Sequence, residues 1–221
     1  TGENKLGSHL RVTVDHEGRL LVACPRRLLR FQEHRGEAIR VDTMRQSLHD
    51  VRASAGGVLF LLDDGGNRVI RKGESLDDDN AAVEVAGGNG SGPAANQLNK
   101  PLRFFLAEDS ALYIADRHNH RVQCWHPGAT EGITVAGGNG QGEGLEQLDM
   151  PCSVFVTPDR TVYVADTHNH RVVRWCVGQT AGVVVAGGHG EGSQGHQLHS
   201  PNDLIVHADG SLYISEGGND R

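Results

Sequence analysis

The sequence repeats itself with a period of fifty residues, and this period limits the possible folds more than any other feature. The hexapeptide at residues 85–90 returns at 135–140, and it returns at 185–190 with His in place of Asn. Strand-like segments keep the same spacing, at residues 112–116, 162–166 and 212–216. Repeated units of this kind stack on one another, because a single unit cannot bury its apolar surface alone. We therefore predict one domain of stacked repeats.

Each unit is predicted to contain four short strands. In the clearest copy these strands are residues 153–157, 161–166, 171–175 and 181–186, with a tight turn at 158–160. No segment shows a helical period long enough to compete with this assignment. Four antiparallel strands in a unit of roughly forty to fifty residues are typical of a propeller blade. The predicted fold class is an all-β β-propeller of four-stranded antiparallel blades.

Two fainter copies precede the three clear ones, which allows the chain to be divided into blades. We predict a single propeller domain over residues 1–221, with blades at 8–47, 48–97, 98–147 and 148–197 and an incomplete blade at 198–221. This division gives about four and a half blades. The last copy stops at Arg221, where the clear copies continue into a third strand. We therefore expect a fragment of a longer propeller.

Each clear unit also carries an acidic residue that is followed five positions later by an arginine. We expect the acid to accept hydrogen bonds from backbone N–H groups of the turn, and the arginine to pair with the acid. An asparagine between them is expected to take a left-handed backbone conformation. We predict an architectural role for all these residues, which are Asp63, Arg68, Asp116, Asn119, Arg121, Asp166, Asn169, Arg171, Glu216 and Arg221.

The segments at residues 115–122 and 165–172, ADRHNHRV and ADTHNHRV, resemble the signature of NHL repeats. The resemblance implies a β-propeller, usually of six blades, of which this chain would be a fragment. It does not imply one function. NHL propellers occur in tripartite-motif proteins of the ubiquitin-ligase type, in bacterial receptor kinases and in a peptide-amidating lyase, and some of them bind RNA hairpins.

The amidating lyase is the first enzymatic alternative, because residues 115–117, followed by residues 121–125, are similar to a segment of that family. The family places histidines around the channel with zinc and calcium. In this sequence Lys100 and Met150 stand at two of the corresponding positions, and only His199 and His207 lie near the third. One inner strand with histidine is too few for a three-histidine site.

The gluconolactonase group is the second enzymatic alternative, since residues 200–206 are similar to a segment of these calcium-dependent propellers. The resemblance implies that Asn202 and Asp203 face the channel, where their oxygen atoms would suit a hard cation. Leu102 and Cys152 stand at the corresponding positions of the other repeats, so no carboxylate cage is completed. We keep Asn202 and Asp203 as channel-facing candidates and assign no cofactor, with zinc or calcium as the alternative.

Paired histidines and a glycine-rich loop suggest two further sites. His118 with His120, and His168 with His170, could each offer two imidazoles to zinc, but the sequence fixes no third ligand beside them. Residues 87–92 are rich in glycine, yet a proline and a strand follow instead of the helix that a phosphate loop requires. We predict no metal at the histidines, and a connector between blades at the loop.

Charge and composition narrow the class of partner. The net charge of −7 disfavours RNA, and Arg103, Arg117, Arg121 and Arg171 are scattered beside acids without interleaved aromatic residues. No apolar stretch reaches the length of a membrane span. The four cysteines stand singly, and most are expected to be free thiols in strands. The compartment is left open, with the cytoplasm favoured.

The sequence thus predicts a noncatalytic propeller that acts as a binding scaffold for a protein or peptide within a larger chain. A metal-dependent propeller enzyme, of the amidating-lyase or gluconolactonase kind, is the first alternative. An RNA-binding NHL propeller is the second. No catalytic, cofactor-binding or metal-binding residue is assigned.

Overall fold

The computed structural model describes residues 11–15, 17–24, 27–31, 38–43, 48–73 and 82–221. The strands are β1 (Arg11–Val14), β2 (Leu20–Cys24), β3 (Arg27–Phe31), β4 (Ala38–Thr43), β5 (Leu48–Ala53), β6 (Leu59–Asp63), β7 (Arg68–Lys72), β8 (Val83–Gly87), β9 (Phe104–Leu106), β10 (Leu112–Asp116), β11 (Arg121–Trp125), β12 (Ile133–Gly137), β13 (Pro151–Val156), β14 (Val162–Asp166), β15 (Arg171–Trp175), β16 (Val183–Gly187), β17 (Pro201–Val206) and β18 (Leu212–Glu216). Short 3-10 turns lie at Arg117–Asn119 and Thr167–Asn169. No helix within the described ranges is long and apolar enough to cross a membrane.

Strands that follow one another in sequence pair antiparallel to form successive sheets. Four sheets have four strands each, in the orders β1–β2–β3–β4, β5–β6–β7–β8, β9–β10–β11–β12 and β13–β14–β15–β16, and a fifth sheet pairs β17 with β18. The first strands of neighbouring sheets contact one another, and we call them the inner strands. The predicted all-β fold of four-stranded antiparallel blades in a propeller arrangement is confirmed.

The fifty-residue period of the sequence is also the period of the sheets. Asp116 is the cross-strand partner of Arg121, and Asp166 is the cross-strand partner of Arg171. The four strands predicted in the clearest copy are present as β13 to β16, and they differ from the prediction only at their ends. The hairpin between the second and third strands therefore brings each acid opposite its arginine.

Three of the fourth strands end at a glycine that the backbone requires. Gly137 has a φ of +66°, and a Cβ atom there would lie 2.5 Å from the backbone oxygen of His120. Gly87 and Gly187 have the same left-handed conformation and face the corresponding backbone oxygens. A side chain would clash with backbone at each of these positions. The repeated glycines of the hexapeptide therefore shape the exit from each sheet.

The apolar core lies between neighbouring sheets. Tyr113 and Cys124 of one sheet pack in a cluster with Val154, Val164 and Trp175 of the next. The Trp175 side chain is almost fully enclosed, with 1% of its surface exposed. Because each sheet buries its faces against its neighbours, the turns at the two ends of the sheets are held in fixed positions.

The cysteines take part in this packing as thiols. Cys24, Cys124 and Cys152 are buried within strands, and Cys176 is half-buried directly after β15. None of the four forms a disulfide bond within the described residues. The prediction that most of the cysteines are thiols in strands agrees with Cys24, Cys124 and Cys152, whereas Cys176 follows its strand.

Candidate functional site

The acid, asparagine and arginine of one repeat hold the connector that leads into their own sheet. Asp116 is fully buried, and its Oδ2 accepts hydrogen bonds from Asn119 Nδ2 at 2.7 Å and Arg121 Nε at 2.8 Å. Its Oδ1 accepts the backbone N–H of Asn99 at 2.7 Å. Arg121 also donates to three carbonyl oxygens of the connector, those of Pro93, Ala94 and Gln97. We call this arrangement the clamp.

The clamp recurs in the next sheet with nearly the same geometry. Asp166 accepts hydrogen bonds from Asn169 Nδ2 at 2.9 Å, from Arg171 Nε at 2.7 Å and from the backbone N–H of Asp149 at 2.6 Å. Burial raises the pKa of Asp166, while these donors act in the opposite direction. Arg171 donates in turn to the carbonyl oxygens of Glu143, Gly144 and Gln147. The carboxylate of Asp166 and the guanidinium of Arg171 thus both find their hydrogen-bonding partners within the protein.

The last sheet carries the clamp with a glutamate. Glu216 accepts the backbone N–H of His199 at 2.6 Å and forms an ion pair with Arg221. Asn219 donates to Glu216 at 3.0 Å and to the carbonyl oxygen of Gly192 at 2.9 Å. Sequence reasoning did not include Asn219, although its place three residues after the acid matches the other copies.

The clamp of the β5–β8 sheet lacks the asparagine. Asp63 accepts hydrogen bonds from the backbone N–H of Gly66 at 2.9 Å and from Arg68 Nε at 3.0 Å. Arg68 also pairs with Glu84 on the outer strand of the same sheet. A backbone donor here replaces the side-chain amide of the later copies.

The predicted hydrogen bond from a backbone N–H of the turn to the acid is present at Asp63, but two details of the turn were wrong for the later repeats. In the later repeats the backbone donor to the acid lies in the connector, because the Asn119 amide already occupies the side of Asp116 that faces the turn. The left-handed residue is not the asparagine, which lies in a 3-10 turn, but the following histidine. His120 and His170 each have a φ of 51°.

These left-handed residues link one sheet to the next. His120 Nδ1 accepts the backbone N–H of Met150 at 3.2 Å, and His170 Nδ1 accepts that of Ser200 at 3.1 Å. In the earlier repeat Asn67 Oδ1 accepts the backbone N–H of Lys100 at 2.7 Å. An imidazole nitrogen and an amide oxygen therefore perform the same task at equivalent positions.

The paired histidines do not form a metal site in the described part of the chain. His120 Nδ1 lies 3.5 Å from Asp149 Oδ1, and His168 Nδ1 of the next turn lies 3.7 Å from the same oxygen. Among the described residues no three His, Cys, Asp or Glu side chains come together in a way that could hold a metal ion. His120 instead directs Nδ1 to the Met150 N–H.

The two candidate channel residues have different surroundings. Asp203 Oδ1 accepts a hydrogen bond from Ser153 Oγ at 2.6 Å, and the Asp203 carboxylate also pairs with Arg103. Asp203 thus contacts residues of the two preceding sheets, because Ser153 lies on β13 and Arg103 directly precedes β9. Asn202 lies at a bulge between β17 and β18, and its amide is next to Gly217.

Asp203 belongs to a layer of polar side chains at one register position of the inner strands. The members are Arg11, Asp50, Arg103, Ser153 and Asp203. Burial raises the pKa of Asp50, whose Oδ2 lies 3.5 Å from Arg52 Nη2. Because arginines accompany the carboxylates, the layer does not offer the oxygen ligands that calcium requires. The sequence signal was available: positions 103, 153 and 203 each follow a proline by two residues.

Three cavities lie at one end of the sheets. This end carries two turns of each complete sheet, the turn between its first and second strands and the turn between its third and fourth strands. The first cavity, of about 280 Å³, lies between the β5–β8 and β9–β12 sheets. The second, of about 390 Å³, lies between the β9–β12 and β13–β16 sheets. An inner cavity of about 350 Å³ adjoins the inner strands β9 and β13. We call the three together the turn-face groove.

Shared side chains make the three cavities neighbours. Asp109 lines the first and inner cavities, and His126 lines the first and second. Tyr113 and Arg160 line the inner and second cavities. Arg160 Nη2 and Asp109 Oδ2 form an ion pair at 2.6 Å that joins the turns of two sheets. The groove therefore runs across three sheets, and sequence reasoning did not identify it.

Burial favours the protonated forms of two groups that line the second cavity, the Cys124 thiol and the Tyr113 hydroxyl. Burial raises the pKa of the Cys124 thiol, and Cys124 Sγ lies 3.9 Å from His126 Nε2. Burial also raises the pKa of Tyr113 to about 12, with a smaller effect of Cys124 in the same direction. The backbone N–H of Ala111 and the nearby Arg160 lower the pKa of Asp109. A protonated thiol is a poor nucleophile, so this chemistry suits binding better than covalent catalysis.

Comparison with known proteins agrees with the repeat and the fold. Residues 148–175 match the family model of the NHL repeat, which confirms the resemblance found in the sequence. No curated protein sequence matched the chain. An auxiliary nutrient binding protein from Bacteroides thetaiotaomicron superposes with a TM-score of 0.72 at 13% identity, over 96% of this chain and 57% of that one.

Two enzymes have a similar fold. Virginiamycin B lyase from Staphylococcus aureus, in a catalytically inactive form with quinupristin, has a TM-score of 0.63 at 13% identity, over 98% of this chain and 66% of the lyase. A gluconolactonase from Xanthomonas campestris has a TM-score of 0.63 at 19% identity, over 90% of this chain and 66% of the enzyme. The chain thus spans less than two thirds of the length of each of these three structures. Similarity at these identities establishes the fold alone.

Proposed function

Because the chain contains an NHL repeat and folds as stacked propeller blades, we propose that it is a noncatalytic scaffold that binds an extended peptide segment of a protein partner along the turn-face groove. The observation that carries the proposal is the continuity of the three cavities across neighbouring sheets. Concave sites with apolar walls and a few convergent polar groups are the usual form of a binding site.

The composition of the groove supports a peptide ligand. Phe105 and Phe155 contact each other with their ring centroids 5.0 Å apart beside the inner cavity, and Trp175 lines the second. At the rim of the second cavity, Ile133 is 60% exposed and Val177 is 72% exposed. Large apolar side chains gathered at the edge of a cavity, unlike isolated ones, indicate an interaction surface.

The packing between sheets supports a preformed site. The walls of the groove come from strands whose opposite ends are fixed by the clamps, for example that of Asp116 and Arg121. A rigid site binds with a smaller entropic cost than one that must order itself. The same rigidity would allow a larger chain to present the groove at a constant angle.

Selection from a random peptide library on the immobilised protein tests the proposal. We expect selected peptides to bind the wild type and to lose at least tenfold in affinity to Ile133→Glu and Val177→Glu, because each change places a charge at the apolar rim. Val183→Glu is the matched control, since Val183 is 45% exposed, holds the place in β16 that Ile133 holds in β12, and lines none of the three cavities. Equal binding to all four proteins would overturn the proposal.

The fold similarity to a lyase and a gluconolactonase motivates a metal-dependent enzyme as the alternative. Native mass spectrometry of the protein incubated with zinc or calcium separates the two. One ion bound per chain would favour the enzyme, and its absence would favour the scaffold. The RNA alternative predicts a steep fall of affinity with salt, which a hairpin titration at two ionic strengths measures.

A further inference from the structure

The first and second cavities are lined by equivalent residues of successive repeats, which lie about fifty positions apart in the sequence. In the first, Phe60 stands three positions before the acid Asp63, and Trp125 of the next sheet closes the opposite wall. In the second, Tyr113 and Trp175 occupy the equivalent places. A ligand that crosses three sheets would therefore meet the same aromatic pair twice.

One lining position changes chemistry between the copies. Arg71 stands three residues after Arg68 and lines the first cavity, whereas Cys124 stands three residues after Arg121 and lines the second. Arg71 is exposed, and its side chain forms no hydrogen bond or ion pair with another described residue. Arg160, the other arginine of the groove, is already paired with Asp109. Among the described residues, Arg71 is thus the guanidinium of the groove that has no partner.

We propose that the peptide bound in the turn-face groove carries an acidic side chain that pairs with Arg71 at the first cavity, and an apolar side chain that fills the second cavity between Tyr113 and Trp175. This inference rests on the proposed function. The inference adds to the proposed function the chemistry of the bound peptide and the position of two of the peptide's side chains.

Charge complementarity favours a carboxylate at the first cavity. A guanidinium presents several N–H donors in a planar fork that matches the two oxygens of a carboxylate. Ser54 and Ser110 also line this cavity and can donate hydroxyl groups to the same oxygens. The carboxylate of Asp109 also lines this cavity, but it is already paired with Arg160. A basic side chain would therefore be repelled by Arg71 without gaining a free carboxylate.

The second cavity favours an apolar side chain for the opposite reason. Its lining includes Cys124, Val135, Val162 and Trp175, and its nearest cation, Arg160, is neutralised by Asp109. A charged side chain would lose its hydration there without gaining a free partner. The order of the two side chains along the peptide therefore follows the order of the sheets.

Two peptide libraries, one with Asp and one with Asn fixed at the centre among apolar-rich random positions, test the inference. We expect the wild type to retain the Asp library about two- to fivefold more than the Asn library, the range for an exposed charged pair. Arg71→Gln should remove this preference, and Arg71→Glu should reverse it. Lys100→Gln removes a charge of the same sign outside the groove and should keep the preference.

The outcomes separate this inference from the proposed function. Equal retention of both libraries by the wild type, or an Asp preference that survives in Arg71→Gln, would overturn the assignment of the acidic residue to Arg71. If either of these results is found and Val177→Glu also loses all retention, the groove remains the binding site and only the partner chemistry is rejected. Retention that Val177→Glu does not affect would reject both.

Discussion

His120 Nδ1 accepts the backbone N–H of Met150 at 3.2 Å, and this hydrogen bond ties a turn of one sheet to the connector of the next. Asn67 makes the equivalent bond one repeat earlier through its side-chain oxygen. A side-chain acceptor in a left-handed residue is thus what the position requires, and the imidazole is one of two groups that supply it. This explains a recurrent histidine without any role in metal binding or catalysis.

We expect His120→Ala to destabilise the protein by about 1–3 kcal/mol, since it removes the half-buried acceptor of the Met150 N–H, and alanine offers no hydrogen bond to offset its left-handed conformation. His120→Asn should stay within about 0.5 kcal/mol of the wild type, because asparagine tolerates that conformation and can accept the same N–H. Urea unfolding of both variants measures the difference. Equal losses in the two would show that the Met150 hydrogen bond contributes nothing.

The clamp predicts strong coupling between Asp166 and Arg171. Asp166→Ala should cost about 3–5 kcal/mol, because it leaves the guanidinium of Arg171, which is 7% exposed, without its counter-ion. A double-mutant cycle with Arg171→Ala should give a coupling energy above about 1 kcal/mol. The same cycle on the exposed pair of Asp109 and Arg160 is the control, with an expected coupling below about 1 kcal/mol. Additive losses in the Asp166 cycle would contradict the clamp.

Tyr113 gives a pH dependence with a defined sign. Its pKa is raised from 10.0 to about 12 by burial, so the folded protein keeps the hydroxyl protonated at pH values where the unfolded chain ionises. The contribution to stability is complete below pH 10 and is lost as the pH rises from 10 to about 12. Absorbance at 295 nm should show a phenol that titrates near pH 12 in the wild type and is missing in Tyr113→Phe. Tyr213→Phe, which alters a ring that is 60% exposed, should retain that late component.

Glycine is required at Gly137 but not at Gly195. Gly137→Ala should destabilise the protein by about 2–4 kcal/mol, since the left-handed conformation and a Cβ contact with the backbone oxygen of His120 both oppose it. Gly195→Ala should be neutral to within about 0.5 kcal/mol, because a Cβ there would meet no atom within 4 Å and its backbone is not left-handed. Thermal unfolding of the two variants tests the contrast. A tolerated Gly137→Ala would mean that the backbone at the end of β12 can move away from the His120 oxygen.

Much of the fold could be predicted because its signals are local. The acid and arginine lie five residues apart and become cross-strand partners within one hairpin, as Asp166 and Arg171 do. The conformation of the turn was less predictable. The choice between Asn119 and His120 for the left-handed residue depends on where the asparagine amide must point, and that depends on Asp116.

The repeat by itself determined the strand order, the antiparallel pairing and the place of each acid opposite its arginine, because these follow from spacing within one hairpin. Only the tertiary structure decided what meets between sheets. The pairing of Arg103 with Asp203, and the meeting of Tyr113 with Trp175 around one cavity, join residues from different sheets. Such contacts are set by the rotation of each sheet against the next, which no short stretch of sequence encodes.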